Sequence, residues 1–147
     1  MPVFETESPE ATIRLGERIA RGLKPGAVVA FYGELGAGKT TMIKGFARGL
    51  GVREMVKSPS FVIITEYRGR IPVYHIDLYR IKSPAEFTEI GLESYLTGDG
   101  VCLIEWAERA ESLLPPATTI RVKLQVLPAG RRIEIIGWSE GLAEELQ

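Results

Sequence analysis

Cysteine and histidine are almost absent from this 147-residue sequence, which has one of each, Cys102 and His75. A single cysteine cannot build an internal disulfide framework, and it leaves no cysteine cluster that would bind a metal ion. Cys102 lies within the apolar run 101–104, so we expect a buried thiol that packs as a small hydrophobic side chain. The sequence therefore excludes disulfide-stapled folds and sites of the zinc-finger type.

Long hydrophobic runs and an excess of charge of one sign are also missing. No apolar run approaches the roughly 20 residues that cross a bilayer, and the N-terminus lacks the apolar core of a signal peptide. The 18 basic and 19 acidic residues leave a net charge of −1, which gives no bulk attraction to nucleic acid or to an anionic membrane. We therefore expect a cytoplasmic protein without membrane contact, in which any contact with RNA requires a local basic patch or a partner.

The remaining composition is that of an ordinary globular protein. Apolar residues make up 45% of the chain and charged residues 25%, a balance that supports a sizeable hydrophobic core. The length is typical of one domain, and neither an internal repeat nor a low-complexity stretch divides the chain. We expect residues 1–147 to form a single domain, and the glycine-rich motif within it indicates that this domain binds a nucleotide.

A glycine-rich run, residues 33–40 (GELGAGKT), carries the main functional signal. It matches the P-loop motif G-x-x-x-x-G-K-[ST], in which glycines let backbone N–H groups approach phosphate oxygens. Lys39 is expected at the β- and γ-phosphates, and the Thr40 hydroxyl is expected to ligate Mg²⁺. An apolar run over residues 27–32 precedes the loop and a helical pattern over 41–50 follows it, as a true P-loop requires. The expected phosphate-binding residues are Glu34, Leu35, Gly36, Ala37, Gly38, Lys39, Thr40 and Thr41.

The hydrophobic periodicity predicts an α/β fold: a three-layer P-loop NTPase with a mixed, largely parallel central sheet and a C-terminal antiparallel hairpin. Ser8 and Pro9 are typical of a helix start, with a hydroxyl cap before a proline at the first helical position. The expected strands cover residues 2–6 at a sheet edge, 27–32, 61–67, 71–78, 101–105, 120–126 and around 133–135. The expected helices start after Ser8 and at residues 41, 83 and 107.

Two acids stand at the carboxyl ends of predicted strands, where ligands bind in open α/β sheets. Glu105 ends the apolar strand in a Walker-B-like pattern, and Asp77 ends the strand that contains His75. One acid is expected to ligate Mg²⁺ and the other to orient the attacking water; the pattern favours Glu105 on the metal side but leaves the assignment open. His75 shares a strand face with Asp77, so it either tunes that acid, reports on the γ-phosphate, or packs in the core.

A hydroxyl-bearing segment and a tryptophan complete the candidate site. Ser58 and Ser60 follow the P-loop helix, where many P-loop proteins carry a switch loop; the alternative is a plain turn. Trp106 directly follows Glu105, so we expect it near the phosphate end of the sheet, in contact with nucleotide or a partner, or else in the core. The chain has no N-K-x-D guanine-reading run, which favours ATP over GTP. It also shows no internal arginine finger, so hydrolysis in isolation should be slow.

Together these motifs resemble the bacterial TsaE (YjeE) family over nearly the whole chain. The residues that carry the resemblance are 33–41, 58–61 (SPSF), 75–80 (HIDLYR) and the pair Glu105 and Trp106. The departures are mild: Glu34 stands where the family usually has Asp, Ser60 where Thr is usual, and Ala107 where Pro is common.

The resemblance implies an ATPase of tRNA threonylcarbamoyladenosine (t6A) biosynthesis that uses ATP and Mg²⁺. Its implied partners are TsaB and TsaD, with tRNA contacted indirectly through that complex; ATP binding would support association and hydrolysis would reset it. By matching position, the nucleotide and metal set consists of Lys39, Thr40, Asp77, Glu105 and Trp106. The family also implies that adenine lies near Thr6.

Two other functions are compatible with a P-loop. A small-molecule kinase needs an acceptor pocket and usually a basic lid, and only residues 68–70 and 131–132 offer short arginine-bearing segments. A nucleotide-sensing interaction module would bind ATP without useful turnover. A screen for phosphate acceptors distinguishes a kinase from an ATPase. Hydrolysis assays with and without partners distinguish a nucleotide-sensing module from an ATPase.

Overall fold

The strands and helices of this chain build one seven-stranded sheet with helices on both faces. The computed structural model describes residues 3–34, 36–56 and 63–137. In chain order the elements are β1 (Val3–Thr6), α1 (Pro9–Arg21), β2 (Val28–Tyr32), α2 (Lys39–Gly49), β3 (Ile64–Arg68), β4 (Pro72–Asp77), α3 (Pro84–Glu89), α4 (Leu92–Leu96), β5 (Val101–Glu105), a 3₁₀ helix (Ala107–Leu113), β6 (Thr119–Leu127) and β7 (Gly130–Ile136).

The sheet is parallel in its centre and antiparallel at both sides, in the order β1-β7-β6-β2-β5-β4-β3. β6, β2, β5 and β4 run parallel, whereas β1 and β6 flank β7 in antiparallel pairs and β3 closes the other side as a hairpin with β4. β5 is buried along its whole length, because a central parallel strand is covered on both faces. The predicted mixed sheet, edge strand and C-terminal hairpin are confirmed.

Alternate residues of the central strands feed two separate cores. In β2, Val29 and Phe31 face the layer formed by α1 and α2, while Val28 and Ala30 face the layer formed by α3, α4 and the 3₁₀ helix. Phe31 meets Phe46 of α2 edge to face, with ring centroids 5.2 Å apart, a favoured geometry for buried aromatic pairs. The three-layer prediction is therefore confirmed. None of the described helices is long and apolar enough to cross a bilayer.

Three local features differ from the sequence prediction or refine it. α2 begins at Lys39, earlier than predicted, because Gly38 adopts a left-handed conformation (φ 99°) and acts as the N-cap. The helix after Trp106 is of the 3₁₀ type and kinks at Ala110. Cys102 is fully buried, its Sγ donates to the Tyr95 carbonyl at 3.2 Å, and burial raises the pKa of its thiol to about 12, so the predicted structural thiol is confirmed.

Two glycines let α1 and α2 touch through their backbones. A Cβ atom at Gly45 would lie 2.2 Å from the Ile13 carbonyl oxygen, and one at Gly16 would lie 2.7 Å from the Met42 carbonyl oxygen. Real Cβ atoms do not approach backbone this closely, so a side chain at either position would push the helices apart. Because α2 starts at the P-loop, this contact fixes the loop against the α1 layer.

Gly45→Ala should lower the free energy of unfolding by about 1–3 kcal/mol, the usual cost of overpacking a tight contact. Helix propensity alone predicts the opposite sign, since alanine is favoured over glycine in a helix by about 1 kcal/mol. Urea denaturation of Gly45→Ala beside Lys44→Ala, an exposed neighbour on the same helix, separates the two effects. A more stable Gly45→Ala protein would contradict the close helix contact.

Candidate nucleotide site

The candidate site forms where the carboxyl ends of β2, β4 and β5 meet. β2 leads directly into the P-loop (residues 33–40), β4 ends at Asp77 and β5 ends at Glu105. The parallel registers place Asp77 beside Glu105 and Glu105 beside Phe31, so both acids lie next to the start of the loop. This edge is where parallel α/β sheets bind ligands, and the structure brings both predicted acids and the loop together there.

The P-loop owes its path to glycines with left-handed backbone. Gly36 has φ +83° and Gly38 has φ +99°, conformations that side-chain-bearing residues rarely adopt. With Gly38 as N-cap and no side chain capping α2, the first-turn N–H groups of that helix are left for an external acceptor. Together with the positive end of the helix dipole, these donors favour an anion at this point.

The expected phosphate-binding residues differ in side-chain exposure and in whether their backbone N–H groups are already hydrogen-bonded. The side chain of Glu34 is exposed, and that of Ala37 is buried in the core. The Ala37 N–H already donates to the Glu34 carbonyl at 3.0 Å, which closes the turn. Leu35 of the phosphate set, and both expected switch hydroxyls, Ser58 and Ser60, lie outside the described residues.

Lys39 is held across the loop instead of extending into solvent. Its Nζ donates to the Gly33 carbonyl at 2.8 Å and sits 4.2 Å from the centroid of the Trp106 ring. The residue is buried, yet among the described residues it forms no ion pair with a carboxylate. A buried cation bonded to a neutral carbonyl and an aromatic face is well placed to attract an anion.

Glu105 links the loop to the core through both of its carboxylate oxygens. The Thr40 hydroxyl donates to Oε1 at 3.0 Å, and the Nε2 atom of His75 lies 2.7 Å from Oε2. Burial raises the pKa of Glu105, but the His75 and Thr40 hydrogen bonds and the Lys39 charge outweigh that effect and bring the pKa below its ordinary value. Glu105 is therefore kept as a carboxylate, and it touches the hydroxyl expected to bind a metal.

His75 is fully buried, and its hydrogen-bond partner is Glu105. The sequence left three roles open for His75. One of them, a hydrogen bond that tunes Asp77, is wrong, because the His75 ring bonds to Glu105 instead. Because Glu105 pairs with Asp77 across the β4–β5 register, it lies on the same sheet face as His75. The Nδ1 atom of His75 has no hydrogen-bond partner among the described residues, so the ring acts on the site through Nε2.

Asp77 has a different environment from Glu105, although the two are neighbours in the sheet. Its Oδ1 accepts from the Tyr79 backbone N–H at 3.0 Å. Burial raises the pKa of Asp77, and the Glu105 charge adds to that increase, while the Tyr79 N–H, His75 and Lys39 oppose it. Two adjacent carboxyls with pKa values moved in opposite directions suit two different tasks.

Trp106 forms an aromatic wall beside these groups. It is the one non-glycine residue with positive φ (58°) in the described part of the chain, a costly conformation that concentrates at functional sites. Its ring lies 4.9 Å from that of Tyr79, and the Arg109 guanidinium is within 6 Å of both ring centroids, at 5.9 and 5.8 Å. Trp106 thus lies at the P-loop edge of the sheet, half-buried, where it packs against the second core and lines the space beside the loop.

A cleft of about 510 Å³ runs along the P-loop. It is lined by Gly36, Gly38, Lys39, Thr40, Thr41, Asp77, Tyr79, Glu105, Trp106 and Arg131. A smaller cavity of about 150 Å³ adjoins it at Gly38, Thr41 and Arg131 and extends to Thr6, whose hydroxyl is 2.7 Å from that of Thr12. The structure therefore brings Thr6 to the same loop as the acids, at its opposite side.

Sequence reasoning missed the role of Arg131 in this site. Arg131 lines both cavities, and its side chain bonds to the P-loop carbonyls of Gly36 and Ala37. In the sequence it appears only as half of an arginine pair in the last hairpin. Its place depends on the pairing of β7 with β1, which sets Thr6 opposite Arg131, and no local signal reveals that long-range contact.

The comparisons with known proteins identify the family of this chain. The family model described as "Threonylcarbamoyl adenosine biosynthesis protein TsaE" matches residues 6–133. The chain belongs to the TsaE family. The TsaE protein of Treponema pallidum is 43% identical over 127 residues, 86% of this chain and 93% of that protein, and the Bacillus subtilis protein is 48% identical over 113 residues, 76% and 70% respectively.

A solved structure supports the fold as well as the TsaE family. The crystal structure of Bacillus subtilis YdiB superposes with a TM-score of 0.82 at 39% identity, over 99% of this chain and 93% of that one. The segment matched by the TsaE family model contains the P-loop, both acids, Trp106 and Arg131. The predicted resemblance and fold class are confirmed.

Proposed function

We propose that this TsaE-family chain is an ATP-binding ATPase of t6A biosynthesis, acting in the cytoplasm. The observation that carries the proposal is the joint placement of Lys39, Thr40 and Glu105 at the P-loop, with Thr40 and Glu105 in direct contact. The names of the relatives supply the pathway, since they are tRNA threonylcarbamoyladenosine biosynthesis proteins. The absence of a guanine-reading run favours ATP over GTP.

The shape of the two cavities supports one orientation of the nucleotide. The acids and Lys39 lie in the larger cleft, so the γ-phosphate belongs there. The smaller cavity leads from Gly38 and Thr41 toward Thr6, which is the direction expected for the adenosine. In this pose the Lys39 ammonium exchanges its bond to the Gly33 carbonyl for phosphate oxygens, a stronger charge-assisted contact.

The donors present fit Mg²⁺. Thr40 and Glu105 offer two oxygen ligands, while no group of three His, Cys, Asp or Glu side chains able to hold a metal occurs among the described residues. Mg²⁺ is commonly held by one or two protein oxygens and completed by substrate phosphates and water, so this pair suffices. When bound, the ion neutralises charge on the phosphate oxygens. His75 orients Glu105 from behind by occupying Oε2, which keeps Oε1 turned toward Thr40.

Asp77 is assigned to the attacking water. It lines the same cleft as Lys39, and its Oδ1 accepts from the Tyr79 N–H, which leaves Oδ2 as the oxygen proposed to contact the water. Its raised pKa brings the carboxyl closer to the pH at which general bases work best. Turnover by the isolated chain should be slow, because P-loop hydrolases commonly need a partner to complete the site.

The partner is proposed to be the TsaB–TsaD pair, with tRNA contacted through it. A γ-phosphate that binds Lys39, and reaches the acids through Mg²⁺ and water, changes the surface of the cleft, so the pair should recognise the ATP state and not the ADP state. Linkage then requires the pair to alter nucleotide affinity in return.

A pull-down of TsaB–TsaD under ATP, ADP and nucleotide-free conditions tests this assignment. Retention should be strongest with ATP, and hydrolysis should rise when the pair is added. Equal retention in all three conditions, without stimulation, would leave a nucleotide-sensing module. Transfer of phosphate to a small acceptor instead would favour a kinase.

The fluorescence of Trp106 should report nucleotide binding. Its ring contacts Lys39, so phosphate binding that moves the lysine changes the charge over the indole. The second tryptophan, Trp138, lies outside the described residues, and a Trp138→Phe background removes its emission. Titration with Mg-ATP in that background should change the emission in a saturable way. A flat titration, with binding confirmed by calorimetry, would contradict the placement of the ring beside the phosphates.

A further inference from the structure

Arg131 reaches the P-loop from a distant part of the chain. It is the second residue of β7, and its Nε donates to the Ala37 carbonyl at 3.1 Å. Nη2 lies 3.3 Å from the Gly36 carbonyl oxygen, and Nη1 donates to the Gly130 carbonyl at 2.8 Å. Two contacts to P-loop carbonyls hold the guanidinium against the loop that surrounds the proposed phosphate position, and the third, to Gly130, fixes it to its own strand.

The charge of Arg131 has no partner of opposite sign within the described part of the chain. Arg132 next to it pairs with Glu134 at 3.6 Å, and Arg121 pairs with Glu111 at 2.7 Å, but no such ion pair includes Arg131. A guanidinium carries five N–H donors and stays charged, and the three contacts described leave two donors unused. A partly buried cation that bonds only to neutral carbonyls is therefore incompletely compensated.

The position of the guanidinium identifies the missing partner. Arg131 lines both the cleft and the smaller cavity, and these spaces meet at Gly38, Thr41 and Arg131. A Cβ atom built at Gly38 would lie 4.0 Å from Arg131 Nε, so the arginine stands directly beside the N-cap of α2, where an anion is favoured. Lys39 and Glu105 occupy the other side of that N-cap, in the larger cleft.

We infer that Arg131 is a phosphate-binding residue supplied by the same chain, which contacts the nucleotide on the adenosine side of the P-loop. The inference rests on the proposed ATP site and adds a second cation to it, opposite Lys39. The planar guanidinium suits this double task, because it can keep its fork on the Gly36 and Ala37 carbonyls while its remaining N–H groups donate to phosphate oxygens. The sequence predicts no internal arginine finger, and Arg131, on the adenosine side of the loop, is not proposed as one.

The test is calorimetry with ATP and ADP on Arg131→Ala, Arg131→Lys and Arg131→Gln, with Arg132→Ala as the matched control. Loss of a charge-assisted phosphate contact should weaken both nucleotides by about 10- to 100-fold in Arg131→Ala. Lysine keeps the charge and should recover part of the affinity. Glutamine can still donate to the loop carbonyls but has no charge, so it should resemble alanine. Arg132→Ala should bind like the unmodified chain.

The Gln variant separates phosphate binding from support of the loop. Recovery of ATP affinity by glutamine but not by lysine would show that only the carbonyl contacts matter, and this would overturn the inference. So would an Arg131→Ala protein with unchanged affinity. Thermal unfolding without nucleotide identifies any variant that fails to fold. If Arg131→Ala fails to fold, the ATP affinities of Arg131→Lys and Arg131→Gln test the inference. If the unmodified chain binds no ATP, the proposed function fails and the inference with it; loss confined to the variants supports both.

Discussion

Lys39→Ala should reduce the affinity for Mg-ATP by about 100-fold or more without unfolding the protein. In the structure the ammonium is bonded to the Gly33 carbonyl and to the Trp106 ring, and among the described residues no carboxylate depends on it as an ion-pair partner. Its removal breaks no ion pair among the described residues, although Glu105 and Asp77 lose a nearby positive charge. The main loss therefore falls on the phosphates, which a lysine in this position is expected to bind.

Calorimetry of Lys39→Ala beside Lys44→Ala provides the measurement. Lys44 lies on the same helix, exposed and away from the cleft, so its variant should bind ATP normally. Circular dichroism confirms that both proteins are folded. A folded Lys39→Ala protein that binds ATP with unchanged affinity would contradict the proposal that the P-loop binds the phosphates.

Glu105→Ala and Asp77→Ala should each reduce ATP turnover in the complex with TsaB–TsaD by about 100-fold or more, with a smaller loss of nucleotide affinity. Both carboxyls are assigned to groups that matter most in the transition state. Of these two acids, Glu105 is the one that the Thr40 hydroxyl donates to, so the Glu105 variant should require much more Mg²⁺ for half-maximal binding of ATP. Asp77→Ala should keep the original Mg²⁺ requirement and lose mainly kcat.

Steady-state assays across a range of Mg²⁺ concentrations distinguish these outcomes. Glu108→Gln, an exposed acid in the adjoining 3₁₀ helix, is the matched control and should not alter either parameter. If Asp77→Ala rather than Glu105→Ala shifts the Mg²⁺ requirement, the two roles are exchanged. Normal hydrolysis by either variant would remove that residue from the chemistry.

Local sequence signals predicted most of the fold and the loop of the site. The P-loop motif consists of consecutive residues, so a single sequence is enough to identify it. Gly36 and Gly38 have positive φ, as glycine at these positions predicts. Glu105 and Asp77 were found because each ends an apolar strand, and parallel strands bring their ends to one edge. These inferences need only periodicity and chain direction, which a single sequence contains.

What escaped prediction depends on which strands are neighbours. His75 bonds to Glu105 because β4 lies beside β5 in a particular register, and Arg131 reaches the P-loop because β7 lies between β1 and β6. Neither neighbour relation is encoded within a short window of sequence. The 3₁₀ character after Trp106 was also missed, since it follows a left-handed tryptophan, a conformation that residue type alone does not predict.

The most direct test of the proposed function is reconstitution of t6A formation on tRNA with purified TsaB and TsaD, with and without this protein, in the presence of ATP. We expect sustained modification only when the unmodified chain is present, and loss of that effect with Lys39→Ala. Sustained t6A formation that is the same without this protein, or with Lys39→Ala in its place, would contradict it.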